Sequence, residues 1–133
     1  MKGFPPIEEV WKDPDMAHYC LRSIAMMNIK KSGGGGRSNY NEMMKYAEND
    51  IAYLRKEISI IDPDIIILGI TWKKLRNHLL DKQDWSHSGY DIAIGRYNNS
   101  KVIDFYHPSS RNAPSAAYSL LQNIILSDNF KKL

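Results

Sequence analysis

Apolar residues between positions 43 and 61 recur at Met43, Ala47, Ile51, Leu54, Ile58 and Ile61, in steps of 4, 4, 3, 4 and 3. Those steps keep one face of a 3.6-residue period apolar, which predicts a helix from Asn39 to Ile61. Asn39 with Glu42 three residues on has the form of a capping box, and Pro63 stops the helix. Asp64-Ile65-Ile66-Ile67-Leu68-Gly69 follows without alternation. A continuous β-branched run of this length predicts a strand covered on both faces. Thr71 is placed to cap a further helix ending near Leu80, and residues 81–89 read as a polar loop. Residues 90–97 and 101–106 read as strands around Asn98-Asn99, a hairpin turn signal. Ala117, Leu120, Leu121, Ile124 and Ile125 give a last helix from about Ser115 to Leu126 its apolar stripe. Upstream, residues 23–29 read as a buried strand, residues 32–38 as a glycine-rich loop, and residues 1–18 as loop with a short helix.

The resulting order is β, α, β, α, β, β, α. Alternation of this kind predicts an α/β fold, a three-layer α/β/α domain with a mainly parallel sheet and an antiparallel edge hairpin. The 133 residues fit one domain, 1–133, long enough to bury roughly two-thirds of the surface its unfolded chain exposes. No internal repeat is visible.

Composition changes this picture little. A net charge of +3 is compatible with nucleic acid but does not demand it. The single cysteine, Cys20, excludes an internal disulfide and an all-protein four-cysteine cluster, and suits a reducing, cytoplasmic compartment. Residues 1–15 carry Lys2, Glu8, Glu9, Lys12 and Asp13 and have no apolar core of a signal peptide. No run approaches the ~18 apolar residues of a membrane span. His18, His78 and His87 lack metal-ligand spacing with carboxylates, so neither a metal nor a cofactor is expected. Ser109 and Ser110 have no acid–histidine partners in sequence, and no Gly-x-Ser-x-Gly elbow is present.

The chemistry concentrates at two strand ends. Asn28 ends the run Ile24-Ala25-Met26-Met27 and leads into Lys30-Lys31 and Gly33–Gly36. His107 ends Val102-Ile103-Asp104-Phe105-Tyr106 and leads into Pro108-Ser109-Ser110. Ligands of open α/β sheets bind at the carboxyl ends of strands, so an amide and an imidazole are expected in one crevice. The glycines with Lys30, Lys31 and Arg37 could cradle a phosphate through backbone N–H groups.

Three blocks carry a likeness: Ile24 to Lys31, Ile51 to Gly69, and Tyr106-His107-Pro108-Ser109. In their order and spacing the chain resembles the uracil-DNA glycosylase superfamily over about residues 20–130. The resemblance implies a DNA-repair hydrolase acting on an N-glycosidic bond. It implies that Asn28 reads the edge of a flipped base, that His107 donates to a base oxygen and stabilises the departing anion, and that Ser109 contacts a phosphate. Lys30, Lys31, Gly34, Gly35, Arg37 and Arg111 are the expected phosphate-binding set, and DNA or a nucleotide the expected partner. The family also begins with a central strand whose following loop carries a water-activating acid and a stacking aromatic. This chain has no counterpart, since Asp13-Pro14 follows no strand. An N-terminally truncated domain is therefore expected, as is a homo-oligomer where the central strand is missing.

Plainer readings stand beside these. Asn28 serves equally as a turn residue, and His107 as a packed histidine. The glycine run reads as a surface loop, and Lys73, Lys74 and Arg76 as a solvated helix face. Met26 and Met27 read as core, and Trp72 and Trp85, which could stack on a base, read first as packing residues. Three functions stay open: a glycosylase-like enzyme, a non-catalytic nucleotide- or nucleic-acid-binding module, and an inactive truncated product. An acidic residue, Asp13 or Asp91, beside His107 would favour the enzyme.

Overall fold

The computed structural model describes residues 5–31, 39–70, 72–81 and 84–133. Its elements are α1 (Ile7–Lys12), α2 (Pro14–Arg22), α3 (Tyr40–Ile61), β1 (Ile65–Leu68), α4 (Lys73–Leu80), β2 (Ser86–His87), β3 (Ala93–Tyr97), β4 (Ser100–Asp104), α5 (Pro114–Leu126) and α6 (Asp128–Lys131). The fold is mixed α/β, with six helices and one four-stranded sheet of order β1-β4-β3-β2 among the described residues.

The long helix starts and stops where its sequence dictates. The Asn39 side chain accepts from the backbone N–H of Asn41 and Glu42, and Asp62 closes the helix in the left-handed region at φ 44°. Glu42 does not complete the capping box. Its carboxylate takes Lys30 Nζ at 2.6 Å instead. The Asn98-Asn99 turn joins β3 to β4 with Tyr97 opposite Ser100, and Asn98 sits at φ 52°. Asn tolerates that conformation better than most residues. The Thr71 cap lies outside the described residues.

Strand β4 has two partners, β1 parallel and β3 antiparallel. Its consecutive residues Val102 and Ile103 are both 0% exposed. Successive strand side chains point to opposite faces, so these two found separate cores. Val102 packs with Leu54 and Ile58 of α3, Leu68 of β1, and Leu79 and Leu80 of α4. Ile103 packs with Ile94 of β3, Ile92, Ile124 of α5 and Phe130 of α6.

Several expectations are corrected. The sheet is mixed, not mainly parallel, because only β1–β4 is a parallel pair. Residues 23–29 belong to no strand. Met27 and Ile29 pack against the α3 side of the core, but Ile24 and Met26 are 59% and 83% exposed, so Met26 is not core. The apolar run satisfies a strand pattern, yet nothing pairs with its backbone in the described residues. Residues 1–18, expected to be loop with a short helix, contribute to two helices, α1 and an α2 that runs on to Arg22, capped by Asp13 and opened by Pro14 at its first position. β2 and α6 were not anticipated. Arg76 is buried at 5% exposure instead of lying on a solvated face.

These burials predict contrasting mutants. Ile103→Ala should cost about 2–5 kcal/mol, as expected for a fully enclosed aliphatic side chain. Ile24→Ala should stay within about 0.5 kcal/mol. Urea unfolding followed by tryptophan fluorescence separates the two, and comparable losses would contradict the unpaired state of the 23–29 segment.

Candidate functional site

A cleft of about 620 Å³ opens at one end of the sheet, lined by Lys73 and Arg76 of α4, Trp85, His87, Asp91, Asp104, Tyr106 and His107 among others. Its position follows from topology. β1 and β4 are parallel, and β2, antiparallel to β3, runs the same way as β4. The carboxyl ends of β1, β4 and β2 thus share one rim, the position at which α/β sheets hold ligands.

Gly69, just beyond β1, sets the place of His107. A Cβ there would lie 3.0 Å from Pro108 Cδ and 3.2 Å from His107 Cα. The missing side chain lets the His-Pro backbone close over the end of β1. Beyond it the chain turns, with Ser110 N–H donating to the His107 carbonyl at 2.8 Å. This turn brings Ser109 back to the imidazole. The Ser109 backbone N–H donates to His107 Nδ1 at 3.1 Å, and Ser109 Oγ lies 2.7 Å from the same nitrogen. A backbone N–H can only donate, so Nδ1 is an acceptor and the neutral ring carries its proton on Nε2. Ser109 therefore acts locally, as the group that fixes the His107 tautomer.

The cleft floor is a polar network. Arg76 Nη1 pairs with Asp104 Oδ2, and Arg76 Nε donates to Asn77 Oδ1 at 3.3 Å. The guanidinium lies 4.2 Å from the centre of the Trp85 ring, whose Nε1–H donates to Asn77 Oδ1 at 2.9 Å. Trp85 is thus covered by Arg76 on one side, in the cation–π geometry that suits a buried guanidinium. Burial raises Asp104 above the ordinary carboxylate value of 3.8, outweighing the opposing pull of Arg76 and Lys73. Asp104 Oδ1 is buried without a hydrogen-bond partner among the described residues, which adds to that cost.

The sequence-derived site residues do not all converge. His107 lines the cleft, whereas Asn28 is exposed on the unpaired segment and does not line it. Lys30 is held by Glu42 at 2.6 Å, 5.1 Å from the Tyr46 ring centre, and the Glu42 hydrogen bond raises its pKa. Lys31 pairs with Glu57 at 2.6 Å. Both lysines are engaged along α3, away from the residues that line the cleft. Arg111 is exposed just past the cleft wall. Gly34, Gly35 and Arg37 lie outside the described residues. Asp13 caps α2, but Asp91 lines the cleft with His107, and its carboxylate makes no hydrogen bond or ion pair among the described residues.

Sequence reasoning missed Arg76, Asp104 and His87, and ranked a stacking role for Trp85 below packing. Asp104 alone carried a signal, as a lone acid at the end of an apolar strand. Among the described residues no group of three or more His, Cys, Asp or Glu is placed to hold a metal ion, and no helix is long and apolar enough to cross a membrane. No family model matches the chain, and no curated protein or solved structure does so either.

The ion pair makes a signed prediction. Because the folded protein holds the Asp104 proton to higher pH than the unfolded chain does, this group's contribution to stability is greatest below about 3.8 and is lost as pH rises through the raised folded value. Removing the cation alone should sharpen that loss. Arg76→Met should cost about 3–5 kcal/mol at neutral pH, where it strands a carboxylate at 19% side-chain exposure. The cost should shrink near pH 4, and adding Asp104→Leu should recover much of it. Denaturant titrations at pH 4 and pH 7 measure each step. A loss independent of pH would mean that the two groups do not share their charge.

Proposed function

We propose that the cleft binds a nucleobase-bearing ligand and that the chain is a uracil-DNA-glycosylase-like domain. One observation carries this reading. A histidine whose free N–H is fixed by its own backbone stands at the carboxyl end of a parallel strand pair, within Tyr106-His107-Pro108-Ser109. Such a donor suits a base oxygen that gains negative charge as the base departs, and it needs no reorganisation to do so. Helices packed against both the Val102 and the Ile103 sides support a three-layer α/β/α arrangement.

The hydrolytic form of the proposal adds Asp91. Its free carboxylate would accept a proton from water as the oxygen attacks the sugar carbon. The carbon–nitrogen bond would break, and the base would leave as an anion held by His107 Nε2–H. Arg111, with Lys30 and Lys31 along α3, would meet phosphates of a DNA strand in a salt-sensitive way. Asn28 is not needed at the base in this version.

A second reading, a binding module without chemistry, is favoured by the separation of Asn28 from the cleft. Titration of the chain with deoxyuridine and with uracil-containing single-stranded DNA, beside a uracil-release assay, tests both. His107→Ala should weaken nucleoside binding about tenfold, the value of one well-placed hydrogen bond. Any uracil release should fall about 10²–10³-fold in the same variant, and should also fall in Asp91→Asn. Binding without release selects the module. No saturable binding of either ligand sinks the nucleobase reading.

A further inference from the structure

We infer that His87 is a second ligand-reading group, whose imidazole N–H acts with that of His107 to select ligands that present two acceptor oxygens. The inference rests on the nucleobase reading of the cleft and adds a specificity residue to it. His87 and His107 both line the cleft. Each ring is held in the same way. Gly89 N–H donates to His87 Nδ1 at 3.0 Å, as Ser109 N–H does to His107 Nδ1 at 3.1 Å. In both, a donor-only backbone group two residues on makes Nδ1 the acceptor and leaves the neutral ring's proton on Nε2. Two histidines in one cleft therefore offer the same group, an N–H that makes no hydrogen bond among the described residues.

They stand on opposite sides. His107 is drawn over the end of β1 by Gly69, and His87 ends β2 at the other edge of the sheet. β1 and β2 are separated by β4 and β3, so three strand spacings, about 14 Å, divide the backbones at this rim. A single planar ring with one hydrogen bond on each flank fits that span once two side chains project into it. Further contacts steady His87. Its carbonyl accepts Asn129 Nδ2–H from α6 at 3.1 Å, and neighbouring Ser88 is 1% exposed. A ring with carbonyls on both flanks would satisfy both donors. A ring with an amino group on one flank would set donor against donor and leave a polar pair unmatched, the kind of mismatch from which discrimination is built.

The side-chain atoms of His87 can be tested separately. Asn places its amide near the position of Nδ1, so His87→Asn can keep the turn bond to Gly89 but lacks the distal N–H. Gln reaches the position of Nε2, so His87→Gln restores a distal donor. The probes are uracil and glutarimide, each with two ring carbonyls, and cytosine, with one carbonyl and one amino group. Binding is followed by calorimetry on the whole chain, and the tautomers by long-range ¹H–¹⁵N spectra. Wild type should favour uracil and glutarimide over cytosine by about tenfold. His87→Asn should abolish the preference without lowering cytosine affinity, and His87→Gln should regain part of it. His107→Ala should weaken all three probes. The His87 ring should show Nε2–H in the free protein and shift on binding uracil but not cytosine. An equal loss for all probes in His87→Asn, or no loss, overturns the inference while leaving the nucleobase reading intact. Failure of every probe to bind wild type overturns both.

Discussion

The structure depends on strand β4 being enclosed on both faces at once. Val102 and Ile103 are adjacent and fully buried, yet they belong to two different cores. Strand geometry forces this, since a one-residue step turns the side chain to the other face. The same strand is paired on both edges, parallel to β1 and antiparallel to β3. A single residue of slip would carry Val102 and Ile103 each into the other's core and turn Asp104 away from Arg76. Register in β4 is thus also the position of the cleft floor, and packing and site geometry are set by one constraint.

Much of this was legible in the sequence, for identifiable reasons. The α3 stripe, its Asn39 cap, its stop before Pro63, the Asn98-Asn99 hairpin and the existence of β1 are local signals that the surrounding structure reinforces, but the expected cover on both faces of β1 is absent, with Ile65 and Ile67 exposed at the sheet edge. The 23–29 segment shows the limit. Its composition is that of a buried strand, but a strand exists only through a partner, and pairing is not written in a local pattern. β2 is two exposed polar residues whose identity as a strand comes wholly from β3. α6 is one turn, fixed by the Ser127 side chain accepting from Phe130 N–H and by the burial of Phe130.

The site divides along the same line. His107 was visible because a histidine follows an apolar run and precedes Pro-Ser. Arg76 looked like one more charge beside Lys73 and Lys74, and only the tertiary arrangement reveals that it turns inward to Asp104 and Trp85. His87 looked like a lone histidine in a polar loop. Its proximity to the cleft needs the strand order β1-β4-β3-β2, which joins residues 87 and 107 through pairings no local window contains. The loss of Asn28 from the expected site follows from the same unpaired segment that removed the expected strand.

The outer side of β1 joins fold and function. Asp64 and Leu68 carbonyls accept from Lys101 and Phe105 N–H at 3.0 Å, so alternate residues are committed to β4. Ile65 and Ile67 therefore turn their own N–H and C=O groups outward, and no strand meets them among the described residues. Their side chains, on the Ile103 face, are 37% and 50% exposed. α5 and α6 close the middle of that face but not this margin. An open apolar edge is the least protected feature a sheet can have, and here it belongs to the strand that leads into Gly69, against which His107 closes. Order at this edge and order in the cleft are therefore mechanically linked. A displacement of β1 would be felt first at Gly69, where a Cβ would already lie 3.0 Å from Pro108 and 3.2 Å from the His107 backbone.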